Sequence, residues 1–284
     1  NMYTRKTLFA IAIFLGVCTG AQAQYYYLDI LNTKATEENQ ANYKKAKVVS
    51  QVVASFDAEG RKTDYDFRSE RDFSDNYRQL VTVTASIATG RSIMRTYFNT
   101  KGNLTKIIDS TRSIITTTIY TYDKYDSSHN IKEIYVKTED PKNKYTVSET
   151  RRYVYDSLNR PTRMIHFRGE KLEDSTTVKF VLDSAGHVVE EQETGKGKIY
   201  YKYNDQGLLT DIYRYYPSKQ KMLPDYVFDY DAKNRIGATT TVNVETGDYI
   251  IYRNTYNEMN LLDGQDVYGR QKVQVGVVRY KYKF

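Results

Sequence analysis

Eight times along this 284-residue chain, an aromatic-rich segment runs into a tight turn and leaves it through apolar residues. Examples are YFNTKGNLTKI, YVYDSLNRPTRM, FVLDSAGHVVE, YKYNDQGLLTDI and FDYDAKNRIGA. The turns close on Gly60, Gly102, Asn130, Asn159, Gly186, Gly207, Asn234 and Asn260, at spacings of 42, 28, 29, 27, 21, 27 and 26. A period near 27 marks one supersecondary unit repeated and stacked, because a unit that small cannot bury its own apolar face. The turn chemistry identifies the unit. In Asp183-Ser184-Ala185-Gly186 the first side chain can accept from following amides, and the last position requires a left-handed backbone, which Gly adopts freely and Asn best among the rest. Flanking aromatic and β-branched residues make this a hairpin with a type I turn and a bulge.

A second set of loop signals falls midway between the first: Ser110 to Ser113, Asp140 to Asn143, Gly169-Glu170, Gly195 to Gly197, Pro217 to Pro224 and Glu245 to Asp248. Each repeat is therefore two strands, and the expected fold is an all-β antiparallel meander of stacked hairpins, forming a twisted or curled sheet. Aromatics two apart, as in Tyr153/Tyr155, Tyr201/Tyr203 and Phe228/Tyr230, share one face. The 42-residue gap before Gly102 leaves room for a degenerate repeat, with Thr89-Gly90 as one turn. Residues 33–47 break the pattern: Glu37 and Glu38 near the start and Lys44, Lys45 and Lys47 at the end complement a helix dipole. They predict a short helix capping one end of the stack.

Residues 1–23 read as an export address. Arg5 and Lys6 precede ten apolar residues, Leu8 to Val17, and Ala21-Gln22-Ala23 is a small-residue cleavage site. The expected organisation is a signal peptide over 1–23, an N-terminal segment with a short helix over 24–50, and the repeat domain over 51–284. Cys18 is the other processing candidate, as a lipidated residue that would tether the chain to a membrane. Cleavage after Ala23 leaves no Cys, hence no disulfide or thiolate-bound metal. It also leaves 40 basic against 35 acidic residues, a surplus too small and too scattered to expect nucleic acid as a partner.

The motif aromatic-x-Tyr-Asp-x-x-Gly/Asn-Arg/Asn-Leu-Thr, carried by YFNTKGNLTKI, YVYDSLNRPTRM and YKYNDQGLLTDI, resembles the YD repeat of Rhs-type cell-surface proteins over about residues 56–262. The resemblance implies strand pairs in long β arrays, a bacterial envelope setting of Bacteroidetes type, and carbohydrate binding. Large members of that family enclose a toxin in a shell, for which the 261 residues left after Ala23 (284 − 23) are too few.

Candidate chemistry is sparse. His129, His166 and His187 show no ligand spacing, so no metal or cofactor is expected. Glu191 and Glu193 form the only same-face pair in the densest acidic run, Glu190 to Glu193, and paired carboxylates suit glycoside hydrolysis. The 29 Tyr belong mostly to the motif, as packing residues. Tyr200, Tyr213 and Tyr215 lie on the opposite face from the motif rings and are the candidate ligand-binding residues, for a glycan or another envelope protein. The closing alternation Val278, Tyr280, Tyr282, Phe284 resembles the last strand of an outer-membrane barrel. The reading is an exported, non-enzymatic structural or binding module of the periplasm or cell surface. The alternatives are an outer-membrane β-barrel and a carbohydrate-active enzyme.

Overall fold

A computed structural model describes residues 25–62, 67–86, 90–123 and 129–284, so the expected signal peptide over 1–23 and the lipidation candidate Cys18 lie outside the described residues. One helix, α1 (Tyr26–Lys45), precedes eighteen strands. The first nine are β1 (Ser50–Phe56), β2 (Arg68–Phe73), β3 (Gln79–Ser86), β4 (Gly90–Phe98), β5 (Leu104–Thr111), β6 (Ile114–Tyr122), β7 (Ile131–Asp140), β8 (Tyr145–Tyr155) and β9 (Pro161–Arg168). The rest are β10 (Asp174–Leu182), β11 (Val188–Glu193), β12 (Ile199–Tyr203), β13 (Leu209–Tyr216), β14 (Lys221–Tyr230), β15 (Ile236–Asn243), β16 (Asp248–Tyr256), β17 (Leu262–Tyr268) and β18 (Gln274–Lys283). Each strand pairs antiparallel with the next, and β18 pairs with β1 from Lys283↔Ser50 to Val277↔Phe56. The meander expected from the repeats is present, but it is neither an open twisted nor a curled sheet: it closes into an 18-stranded barrel. Closure removes both sheet edges, which is the physical gain an open array of this length would lack.

The turn expectation holds in detail. Gly60, Gly102, Asn159, Gly186, Gly207, Asn234 and Asn260 all have φ between 59° and 89°, and at the remaining anchor His129 rather than Asn130 takes the left-handed position. In seven turns the opening Asp or Asn accepts from the amides two and four residues on, as Asp183 does from Ala185 and His187 at 2.9 Å. Beside these turns the strand register slips by one, the expected bulge: Val181 faces Glu190 but Leu182 faces Val188, and Thr255 faces Gly264 but Tyr256 faces Leu262. The degenerate repeat has one turn at Ser74 to Tyr77, where Tyr77 N–H donates to Ser74 O and Tyr77 has φ 57°, and the expected turn at Gly90 is present, with Gly90 left-handed at φ 77° and paired with Ser86 across the β3–β4 hairpin. Pro224 lies inside β14 opposite Tyr213, at a bulge that spares the missing N–H.

The motif aromatics point into the barrel, and the second of each pair has a specific task. The hydroxyls of Tyr122, Tyr155, Tyr203, Tyr230, Tyr256 and Tyr282 donate to the backbone carbonyls of Leu104, Ile131, Val188, Leu209, Ile236 and Leu262 at 2.6–2.8 Å. Each acceptor sits at the start of an outgoing strand beside a bulge, where the ladder leaves a carbonyl short of partners. These hydroxyls form a belt inside the mouth that carries the turns after even-numbered strands, called here the repeat mouth.

The helix is longer than expected and lies elsewhere. Its first residues touch β11, through Glu191, and the Tyr43 ring near its end packs at a tilt against Phe73 of β2, with ring centres 5.0 Å apart. Those strands are nine steps apart in either direction round the ring, about 43 Å along the wall at about 4.8 Å per strand. A helix of 20 residues spans about 30 Å. It cannot follow the wall, so α1 crosses the lumen instead of capping a stack. Its C-terminal half reaches the repeat mouth, where Gln40 Nε2 donates to Tyr77 O at 2.6 Å. Lys47, with φ 56°, then turns the chain towards β1.

Candidate functional site

The lumen is not uniform. Over β7 to β14 the inward residues are Ile134, Tyr153, Met164, Phe180, Ile199, Tyr201, Ile212 and Phe228, and α1 buries Tyr26, Tyr27 and Ile30 against them. That packing leaves the first helical amides inside an apolar wall, a costly place for unpaired donors. Tyr25 offers no side-chain cap. The wall supplies one: Glu191, 1% exposed, accepts from Tyr26 N–H at 3.0 Å and Tyr27 N–H at 2.8 Å, and from Tyr201 Oη at 2.9 Å. Burial pushes its carboxyl up to about 7 despite these donors.

A chain of polar groups extends from this cap. Glu193 accepts from Tyr26 Oη at 3.1 Å, Thr176 Oγ1 at 2.6 Å and Arg168 at 2.9 Å, and pairs with Lys196 at 2.5 Å. His166 stands between Glu193, at 3.2 Å, and Glu149, at 2.6 Å. Glu149 pairs with Arg151, whose guanidinium reaches Asp29 of α1 at 2.8 Å. Tyr153 Oη closes the network on Asp29 at 2.6 Å and Tyr26 O at 2.9 Å. For both Glu149 and Glu193 burial works upward, but hydrogen bonds from His166 and the charges of Arg151 and Lys196 outweigh it and hold each near 2. Beside this network Asp225 accepts from Tyr25 Oη at 2.6 Å, Arg214 Nε at 2.9 Å and Tyr216 Oη.

The pair Glu191/Glu193 is thus on one face, as its spacing requires, and both members are engaged by α1. Glycoside hydrolysis needs one acid and one base open to a substrate; these carboxylates are buried and their oxygens occupied. The sequence located Glu191, Glu193 and His166 but not what gathers them, because the partner is a helix start some 165 residues earlier. Among the described residues no group of three or more His, Cys, Asp or Glu is arranged to hold a metal ion.

Tyr200, Tyr213 and Tyr215 lie on the outer wall. Tyr200 and Tyr213 are direct cross-strand partners with rings stacked at 5.3 Å, and Lys202 Nζ stands 4.9 Å from the Tyr213 ring centre. Tyr215, 53% exposed, faces Met222 across β13 and β14. Around them the outer wall is charged. β2 turns Arg68, Glu70 and Asp72 outward, β7 turns out Glu133, Lys137 and Glu139, and β18 turns out Arg279, Lys281 and Lys283. Ion pairs Arg152–Glu133 and Lys198–Glu190, both with N···O at or under 3.0 Å, bridge neighbouring strands on that face. On β18 the alternating aromatics Tyr280 and Tyr282 point into the lumen with Val278, so the closing pattern of the chain faces inward. No described helix is long and apolar enough to cross a membrane, which says nothing of strands.

No family model and no curated protein matches the chain. Among solved structures, a porin-like protein from Bacteroides uniformis aligns over 83% of this chain and 98% of its own, at 6% identity and a TM-score of 0.41. The TcdB2–TccC3–Cdc42 complex aligns over 81% of this chain and 19% of its own, at 9% identity and a TM-score of 0.27. A DUF1329 family protein from Desulfovibrio piger covers 88% and 91%, at 10% identity and a TM-score of 0.22. Likenesses this distant transfer no function, and the barrel stands on its own strand pairing.

Proposed function

We propose that the chain is an exported, non-enzymatic β-barrel of the bacterial envelope, built from YD-like repeats, that binds a ligand and keeps its N-terminal helix as a fixed plug. The observation that carries this reading is the closed ring of strands crossed by α1, with the polar groups at the helix start spent on holding it. Closure favours the barrel alternative over an open array of hairpins. The outer wall then bears on what surrounds the barrel. A lipid-facing wall needs an apolar band about 25 Å tall, and three consecutive outward charges on β2 interrupt any such band. A water-facing wall fits these residues better, with cross-strand ion pairs and cation–aromatic contacts as its ordinary furniture.

The second reading, an outer-membrane barrel, draws support from the closed antiparallel ring with an even number of strands and from the export address. Fractionation separates the two. Expressed with its leader, the mature chain is expected in the fraction released without detergent; recovery only in detergent, with heat-dependent migration in gels, would overturn the water-facing reading. For the outer strip, binding of a glycan array that is lost in the Tyr213→Ala/Tyr215→Ala double variant supports contact through those rings. Turnover of any glycan that is lost on changing Glu191 or Glu193 to Gln would overturn the non-enzymatic reading.

A further inference from the structure

Elsewhere in the lumen, across β1 to β6, one row of inward residues is mostly polar: Gln51, Arg71, Thr82, Met94, Asp109 and Thr116 are successive cross-strand partners. Arg71 stands out in it. It is 8% exposed, and its guanidinium has only hydroxyl partners, Thr82 Oγ1 at 3.3 Å and Tyr43 Oη at 3.5 Å. No described carboxylate pairs with it. Asp109, the acid in the same row, is three strands away, about 14 Å. A buried charge is expensive unless paired, and a guanidinium with five donors of which two are weakly used has room for a planar anion.

Next to Arg71, Gln51 is 1% exposed; its Nε2 donates to Tyr282 Oη at 3.1 Å, while its Oε1 has no partner. An anion cannot satisfy that oxygen, since it too only accepts. A hydroxyl can. One row further from the repeat mouth, Thr84 and Tyr280 are half-buried, while Val53 and Ser69 between them are closed off.

From these groups we infer that the lumen beside Arg71 is a binding site for a small hydroxylated carboxylate of the sugar-acid class, its carboxylate on the Arg71 guanidinium and a neighbouring hydroxyl donating to Gln51 Oε1. The inference rests on the binding reading above but not on the outer Tyr strip, so failure here leaves a glycan contact at Tyr213 and Tyr215 testable by itself.

Thermal unfolding of the full mature chain tests it, with galacturonate, glucose, acetate and inorganic phosphate as probes. Galacturonate at about ten times its Kd is expected to raise Tm by about 2–6 °C, with no comparable shift from glucose, acetate or phosphate. In Arg71→Met the shift should vanish while the unliganded Tm does not fall, because an unpaired buried charge has been removed. Gln51→Leu, with Arg71 intact, should bind galacturonate about tenfold more weakly. The proposal is overturned by no shift with galacturonate, by an equal shift in Arg71→Met, or by phosphate or acetate matching galacturonate. A lower Tm in Arg71→Met together with unchanged galacturonate binding in Gln51→Leu also overturns it, by making Arg71 a purely structural residue.

Discussion

The tyrosines of the repeat have two faces of chemistry, ring and hydroxyl, and the barrel uses both. The ring packs in the lumen, while in six repeats the hydroxyl satisfies a carbonyl that the bulge leaves exposed to an apolar interior. A Tyr155→Phe or Tyr230→Phe change keeps the packing and strands that carbonyl, so each should lower stability by about 1 kcal/mol in urea unfolding, whereas Tyr215→Phe on the outer wall should change nothing measurable. The same scale governs pH. Glu191, with its carboxyl at about 7 in the folded chain and near 4.5 unfolded, holds a proton the unfolded chain has released. Stability from this group is therefore full below about 4.5 and falls as pH rises to about 7. Glu149 and Glu193, held near 2, act the opposite way: their contribution is present above about 4.5 and is lost as pH falls towards 2. From these three groups stability should peak near pH 4.5–5 in urea titrations, and Glu191→Gln should abolish the decline between pH 5 and 7 while leaving the acid limb in place.

Among the elements, α1 shows where sequence reasoning stops. Its dipole charges, Glu37 and Lys44 to Lys47, are local, and the helix is legible from them; its start at Tyr26 is not, because three successive tyrosines favour strands and the residue that caps them, Glu191, lies on another element. The hairpin turns are the reverse case. Asp183 and Gly186 determine their own geometry within four residues, so every anchor turn was legible, apart from a one-residue shift at His129 and a degenerate copy at Ser74 to Tyr77 whose Gly is replaced by Tyr. Which strand face looks inward was legible as a shared face and not as a lumen. The anchoring of α1 by Asp29 and Arg151 can be measured directly. Arg151→Met should cost about 3 kcal/mol, since it leaves Asp29 and Glu149 without their shared cation in a partly buried site. The loss should be accompanied by faster amide exchange in α1 but not in β15 to β17, which the helix does not touch through this network.

For the whole molecule, closure is the property that no local signal announces. Nothing in SQVVASF or in VRYKYK marks them as neighbours, and the repeat period alone is as compatible with an open array as with a ring. What forces the ring is the accumulated twist of many strands together with two edges that would otherwise template aggregation. The seam can be tested by a cross-link. Ala54 of β1 and Arg279 of β18 are direct partners on the outer face, and antiparallel partners lie about 4.5–5.5 Å apart between Cα atoms, within the range a disulfide spans. In a chain with Cys18 replaced by Ser, Ala54→Cys/Arg279→Cys should oxidise to an intramolecular disulfide that migrates as a compact monomer on non-reducing gels. The Arg279 ion pair given up is exposed, with N···O 3.6 Å from Asp266, and surface pairs of this kind contribute about 0–1 kcal/mol. Joining ends more than 200 residues apart should raise stability by several times that, up to about 4–5 kcal/mol, with reduction returning it to the starting value. An open sheet holds these two strands at opposite ends, and in it the cysteines would stay reduced or link separate molecules.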